Sequence, residues 1–77
     1  MSWNYRVMAK EYEGEIYFDI HEVYYDKKGK PDGCTANPVS VGGYNKKGIK
    51  WTLKMMKKAT KKPILWYGDK FPKKYKK

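Results

Sequence analysis

The residues best equipped for chemistry sit in one short stretch: Asp19, His21, Glu22 and Asp26. On an extended strand Asp19 and His21 share a face. An imidazole with carboxylates beside it can hold a metal or act as a base with its orienting partner. The rest of the chain does not complete such a site. His21 is the single histidine, and the single Cys34 lies across a loop. No nucleophile elbow, phosphate-binding glycine loop or paired-cysteine motif occurs. The expectation is no catalysis, no metal and no cofactor, with His21 a polar strand residue satisfied by a neighbouring carboxylate.

A second set of residues points to binding. The formal charge is +10, and it is unevenly placed. Residues 46–77 hold thirteen lysines and one acid, whereas residues 1–45 are net acidic by two charges. A segment that repels itself this strongly is most simply explained by an acidic partner. Seventeen of the eighteen cations are lysine, a flexible point charge suited to diffuse phosphate contact rather than to reading base edges. A lysine-favouring base composition of the genome would give the same bias.

The elements that must position these lysines follow from periodicity. At 100° per residue, Ile49, Thr52, Leu53, Met55, Met56, Ala59 and Thr60 fall within one arc of about 160°, the apolar face of a helix from Lys46 or Lys47 to Thr60 or Lys61. Lys46, Lys47, Lys50, Lys54, Lys57, Lys58 and Lys61 fall within another arc of about 120°, with Trp51 at the border. Asn45 is the expected N-cap and Pro63 a stop signal. Gly48 predicts a frayed first turn.

Upstream, Trp3 to Lys10 alternates as a half-buried strand, with Trp3, Tyr5, Val7 and Ala9 on one face. Glu13-Gly14 marks a tight turn. Ile16 to Tyr25 is a second strand with Ile16, Phe18 and Ile20 on one face and a break in the alternation at Glu22-Val23, where a bulge or strand end is expected. Asp26 to Lys30 is a hairpin loop with Gly29 at positive φ, and a weaker edge strand follows at about Pro31 to Thr35. Pro63 to Tyr67 is a short apolar segment. The predicted fold is a single α+β domain over residues 1–67: a small antiparallel three-stranded sheet in the order β-β-β-α, a possible short C-terminal strand, and one amphipathic helix on one face. Residues 68–77 read as a flexible tail of lysines and aromatics.

The functional expectation is a basic, non-enzymatic binding module. Lys46, Lys47, Lys50, Lys54, Lys57, Lys58 and Lys61 would contact phosphates of a nucleic acid or a ribonucleoprotein. Lys73, Lys74, Lys76 and Lys77 would add affinity, with Phe71 and Tyr75 stacking on unpaired bases. The bland alternative is a solvated helix face and a solubilising tail. An acidic protein surface is a further candidate partner, whereas a membrane is disfavoured because the apolar helix face is needed to cover the sheet. Tyr17, Tyr24 and Tyr25 are expected to pack across strands, since acids beside them repel phosphate. No apolar run reaches the roughly 20 residues of a membrane span. Nothing resembles a signal peptide, so a cytoplasmic protein is expected. Charge does not fix an oligomeric state.

The strings Ser2-Trp3-Asn4-Tyr5-Arg6-Val7, Ile20-His21-Glu22-Val23-Tyr24-Tyr25-Asp26, Asn37-Pro38-Val39 and Trp51-Thr52-Leu53 resemble a group of short uncharacterised bacterial and phage proteins. The resemblance covers most of residues 2–66 and implies no activity. Members of that group often carry an acidic helix where this chain has lysines, which would make the basic face particular to this chain. Strands followed by a helix after a glycine-rich loop are also similar to the antitoxins of toxin–antitoxin pairs. The phage-like resemblance implies, as the leading alternative, a counter-defence inhibitor of the anti-CRISPR kind that occupies a surface of a host nuclease or ribonucleoprotein.

Overall fold

The computed structural model describes residues 2–76. Four strands and one helix follow in the order β1 (Ser2–Tyr12), β2 (Glu15–Tyr25), β3 (Pro31–Cys34), α1 (Lys46–Ala59) and β4 (Leu65–Trp66). They form an α+β fold with the helix lying along β1 and a four-stranded sheet in the order β3-β2-β1-β4. The expected sheet has three antiparallel strands. The short C-terminal segment adds a fourth, and it pairs parallel to β1 at Met8↔Leu65 and Ala9↔Trp66, so the sheet is mixed.

β1 and β2 form one long hairpin in continuous register from Ser2↔Tyr25 to Tyr12↔Glu15. Its two-residue turn has positive φ at Glu13 (51°) and Gly14 (82°). That geometry matches the right-handed twist of the strands it joins. The irregularity expected at Glu22-Val23 lies instead at Tyr24/Tyr25, on the side facing β3. In the second hairpin, Asp26 Oδ1 accepts from the backbone N–H of Lys28 (2.8 Å) and Lys30 (2.9 Å). Gly29 supplies the positive φ that closes this loop.

The centre of β1 is covered on both faces: Tyr5, Arg6, Met8 and Ala9 are all buried. On one face Met8, Val23 and Leu65 form the core cluster, closed by Tyr25, Cys34, Tyr67 and Phe71. On the other, Phe18 and Trp66 flank Ala9 in register. Tyr75 meets both rings edge-on, at 5.4 Å and 5.2 Å. Between such large rings a side chain as small as that of Ala9 leaves room for close packing.

The single arginine is structural. Arg6 is buried; Nη1 donates to Tyr25 Oη (2.9 Å) and Nη2 to the Pro63 carbonyl (2.6 Å), while Tyr25 Oη donates to Asn4 Oδ1 (2.7 Å). One planar fork thus ties β1 to β2 and to the segment entering β4, two separate directions that a lysine ammonium does not span in the same way. Arg6→Lys is expected to cost about 1–3 kcal/mol, the range for a lost buried bond to a charged group, read as a lower urea midpoint at unchanged slope.

The segment expected to be a flexible tail is placed against the sheet over residues 68–76. Trp66 N–H donates to the Lys73 carbonyl and Tyr75 N–H to the Ile64 carbonyl, both at 2.8 Å, around an antiparallel bridge Leu65↔Lys74. The physical reason is the pair of aromatics: Phe71 packs on the core cluster and Tyr75 on Phe18 and Trp66, burial that a purely lysine tail would lack.

Candidate functional site

The helix positions the lysines. Asn45 caps it as expected, its Oδ1 accepting from Gly48 N–H at 2.9 Å. Gly48 has a packing use as well: a Cβ built on Gly43 would lie 3.4 Å from its carbonyl carbon, so the loop crosses close to the first turn. Thr52 and Ala59 are the buried helix residues, and Thr52 Oγ1 donates back to the Gly48 carbonyl at 3.0 Å. Two small residues let the helix sit close to the sheet, with Met55 and Met56 half-buried beside them.

The buried stripe is narrower than the apolar arc read from the sequence. Ile49 (37%), Leu53 (52%) and Trp51 (51%) are exposed. They border the lysine arc, Ile49 and Leu53 on one side and Trp51 on the other. All seven lysines assigned to this face, Lys46, Lys47, Lys50, Lys54, Lys57, Lys58 and Lys61, are exposed. Among the described residues none of them forms a salt bridge.

Helix electrostatics oppose this arrangement. No acid occupies the first turn, so Lys46 and Lys47 face the positive end of the helix dipole; only Lys57 and Lys58, in the last turn, sit where cations are favoured. The rows Lys46–Lys50–Lys54–Lys58 and Lys57–Lys61 set like charges four residues apart, a few tenths of a kcal/mol unfavourable per pair. A bound polyanion would offset these terms by adding attraction to the same lysines.

Of the tail residues, Lys73, Lys74 and Lys76 are exposed beside the β4 edge, and Lys77 lies outside the described residues. Phe71 and Tyr75 are half-buried, Phe71 against the core cluster and Tyr75 against Phe18 and Trp66. Lys70 Nζ lies 4.2 Å over the Trp66 ring, above a shallow hollow lined by Glu11, Trp66, Tyr67, Asp69 and Lys70.

The His21 group forms a closed polar network. His21 is fully buried; its Nε2 lies 3.0 Å from Asp19 Oδ1, and its Nδ1 is 2.9 Å from the Thr35 carbonyl and 3.1 Å from Thr35 Oγ1. Lys10 Nζ pairs with Asp19 Oδ2 at 3.3 Å and stands 4.4 Å from the Tyr67 ring centre, while Tyr67 lies against the imidazole. With its ring enclosed, His21 joins β2 to the chain after β3 and offers no open face to a substrate. Among the described residues no three His, Cys, Asp or Glu side chains converge.

Among the described residues, two groups depart from their ordinary ionisation. The hydrogen bond from Tyr24 to Glu22, helped by local desolvation and the Glu22 charge, pushes the Tyr24 phenol up. Burial pushes the Cys34 thiol up, with the Lys10 ammonium opposing it. A thiol raised in the folded state is mostly protonated near neutrality and reacts as a poor nucleophile. Iodoacetamide at about pH 8 is therefore expected to alkylate Cys34 several-fold more slowly in the native protein than in urea. Equal rates would contradict the burial argument.

Sequence reasoning missed Arg6, Tyr25 and Tyr67 as members of buried polar networks. One signal was available for Arg6: it is the sole arginine in a chain otherwise committed to lysine. No family model, no curated protein and no solved structure matches this chain.

Proposed function

We propose that this protein is a non-enzymatic binding module whose lysine helix face contacts the phosphates of a nucleic acid, free or within a ribonucleoprotein. The observation that carries this reading is the exposed set of seven lysines, unpaired among the described residues, on a helix whose own electrostatics they oppose. Lys50, Lys54 and Lys57 lie within the arc along the body of the helix and make the principal contacts. Lys73, Lys74 and Lys76, exposed beside the β4 edge, add affinity. Trp51, exposed at the border, supplies a ring that can stack on an unpaired base, the role expected of Phe71 and Tyr75.

The lack of an arginine fork on this surface makes the binding insensitive to base sequence. The site of action is the cytoplasm, where the single Cys34 stays reduced. Among the described residues no helix is long and apolar enough to cross a membrane.

Pull-down from lysate with and without nuclease tests the reading. Recovery of heterogeneous nucleic acid, lost on nuclease treatment, supports it. Stoichiometric capture of one protein that survives nuclease overturns it in favour of an inhibitor that occupies a protein surface.

A further inference from the structure

The β1–β2 hairpin outruns everything that flanks it. On the outer side of β1, β4 pairs only at Met8 and Ala9, with Tyr67 N–H closing on the Ala9 carbonyl. On the outer side of β2, β3 pairs with Val23 to Tyr25. The chain then continues along the same edge through Thr35 N–H to the Glu22 carbonyl (3.0 Å) and Val39 N–H to the Ile20 carbonyl (2.8 Å). Beyond Ile20 the edge is bare among the described residues.

Strand geometry says which groups are left open. Outward-pointing backbone groups alternate along an antiparallel strand. The carbonyls of Ile20 and Glu22 point outward, so the N–H and C=O groups of Phe18 and Ile16 do as well, and among the described residues they have no backbone partner. The side chains around them are those of a strand that lacks a neighbour: Tyr12, Ile16, Tyr17 and Phe18 are all exposed. A two-stranded ribbon is marginal in water by itself.

Natural sheets guard an open edge with lysine, proline or a bulge. The opposite edge of this sheet is guarded in that way, by Lys73, Lys74 and Lys76. From Glu15 to Tyr25 there is no lysine, arginine or proline. The charge on the ribbon is instead negative. Glu11, Glu13 and Glu15 are exposed and without salt bridges among the described residues; Lys10 is committed to Asp19, and Lys70, which shares a hollow with Glu11, stands over the Trp66 ring.

We propose that the Glu15–Asp19 edge of β2 receives an added strand from a partner protein, an extended segment bearing lysine or arginine. Backbone bonds to Ile16 and Phe18 hold the strand, extending the row that Thr35 and Val39 begin, and the three glutamates select a basic sequence. A second copy of this chain is the poorer occupant. Two-fold antiparallel pairing centred on Tyr17 sets Glu15 opposite Asp19 of the copy, like charges directly across a ladder. Nucleic acid is repelled by the same glutamates. The edge is a different surface from the lysine face, so this inference stands whether or not that face binds nucleic acid.

The test is an amide-resolved NMR titration of the full chain with a hexapeptide of alternating lysine and valine, against its glutamate–valine counterpart. The expected result is saturable shifts at Ile16, Tyr17 and Phe18 with the basic peptide alone, and hydrogen exchange at Ile16 and Phe18 slowed about tenfold or more. The variant Ile16→Pro removes an outward N–H that the fold leaves unpaired, a change edge strands tolerate. It is expected to keep the parent's spectrum elsewhere and to lose the protection at Phe18. Shifts confined to Glu11, Glu13 and Glu15 without protection at Ile16 and Phe18 would overturn the proposal in favour of simple ion pairing. Peptide-independent shifts that grow with protein concentration would overturn it in favour of self-association, and no response to either peptide would overturn it outright.

Discussion

Replacing Lys50, Lys54 and Lys57 together by glutamate is expected to weaken binding to a single-stranded or duplex oligonucleotide by about a thousandfold at 50 mM salt. Each reversal removes two positive charges, so the +10 chain becomes +4 and stays basic overall. The loss therefore reports the helix face and not the bulk charge. All three side chains are exposed and unpaired among the described residues, so their replacement removes no contact that holds the fold. The introduced carboxylates relieve like-charge repulsion, the one at position 50 standing four residues after Lys46, so the melting temperature should hold or rise. Glutamine at the same positions separates lost contacts from added repulsion and is expected to give a smaller loss of the same sign. Unchanged binding in both variants would remove the lysine face from the account.

The second large effect is on stability. Met8→Ala is expected to destabilise the protein by about 2–5 kcal/mol. Met8 is fully buried and joins Val23 and Leu65 at the point where β1, β2 and β4 meet. A core in a chain of this length supplies a net stability on the order of 3–5 kcal/mol, so the substitution should leave the protein largely unfolded at room temperature. Urea denaturation followed by circular dichroism checks this. A midpoint within experimental error of the parent would show that the cluster does not hold the sheet together. The contrast with Leu53→Ala is informative: Leu53 is half-exposed, and its truncation is expected to cost under about 1 kcal/mol.

The helix was legible in the sequence because its signals agree: Asn45 caps it, the lysines share one arc, and Pro63 follows its end. The two hairpins were legible through Glu13-Gly14 and Gly29, whose positive φ the backbone requires. The sheet's inward face was not. Period-two alternation puts Ile16 and Phe18 inside, yet both are exposed and His21 and Val23 are buried. The strand is long, and only its second half is covered, so a single pattern over its length averages two environments. Arg6 and His21 are polar residues at core positions, and the partners that tie them to other elements include groups 57 and 14 residues away in sequence. Local pattern carries no information about partners so distant. The tail misleads for a similar reason. Its lysines read as disorder, while the contacts that place it run from Tyr75 back to Phe18 and from Phe71 to the core cluster.

The lysine face itself was legible as charge and as geometry, but its borders were not. Thr52 and Ala59 take the buried stripe that the helical periodicity also assigns to Ile49 and Leu53. That shift leaves an apolar margin beside the lysines and an indole on the other side. A polyanion held by such a face meets cations in the middle and rings or alkyl groups at the rim.

Salt dependence of oligonucleotide binding, followed by fluorescence anisotropy from about 50 to 200 mM salt, reports how many phosphates the helix lysines neutralise. If the helix lysines each neutralise one phosphate, the logarithm of affinity falls with the logarithm of salt at a slope of about −0.9 per contact on duplex and about −0.7 on a single strand. A duplex slope of about −3 or steeper is expected, reduced toward zero when Lys50, Lys54 and Lys57 are replaced by glutamine. A shallow slope in the parent, or a steep one that survives the replacement, would contradict contact between the helix lysines and phosphate.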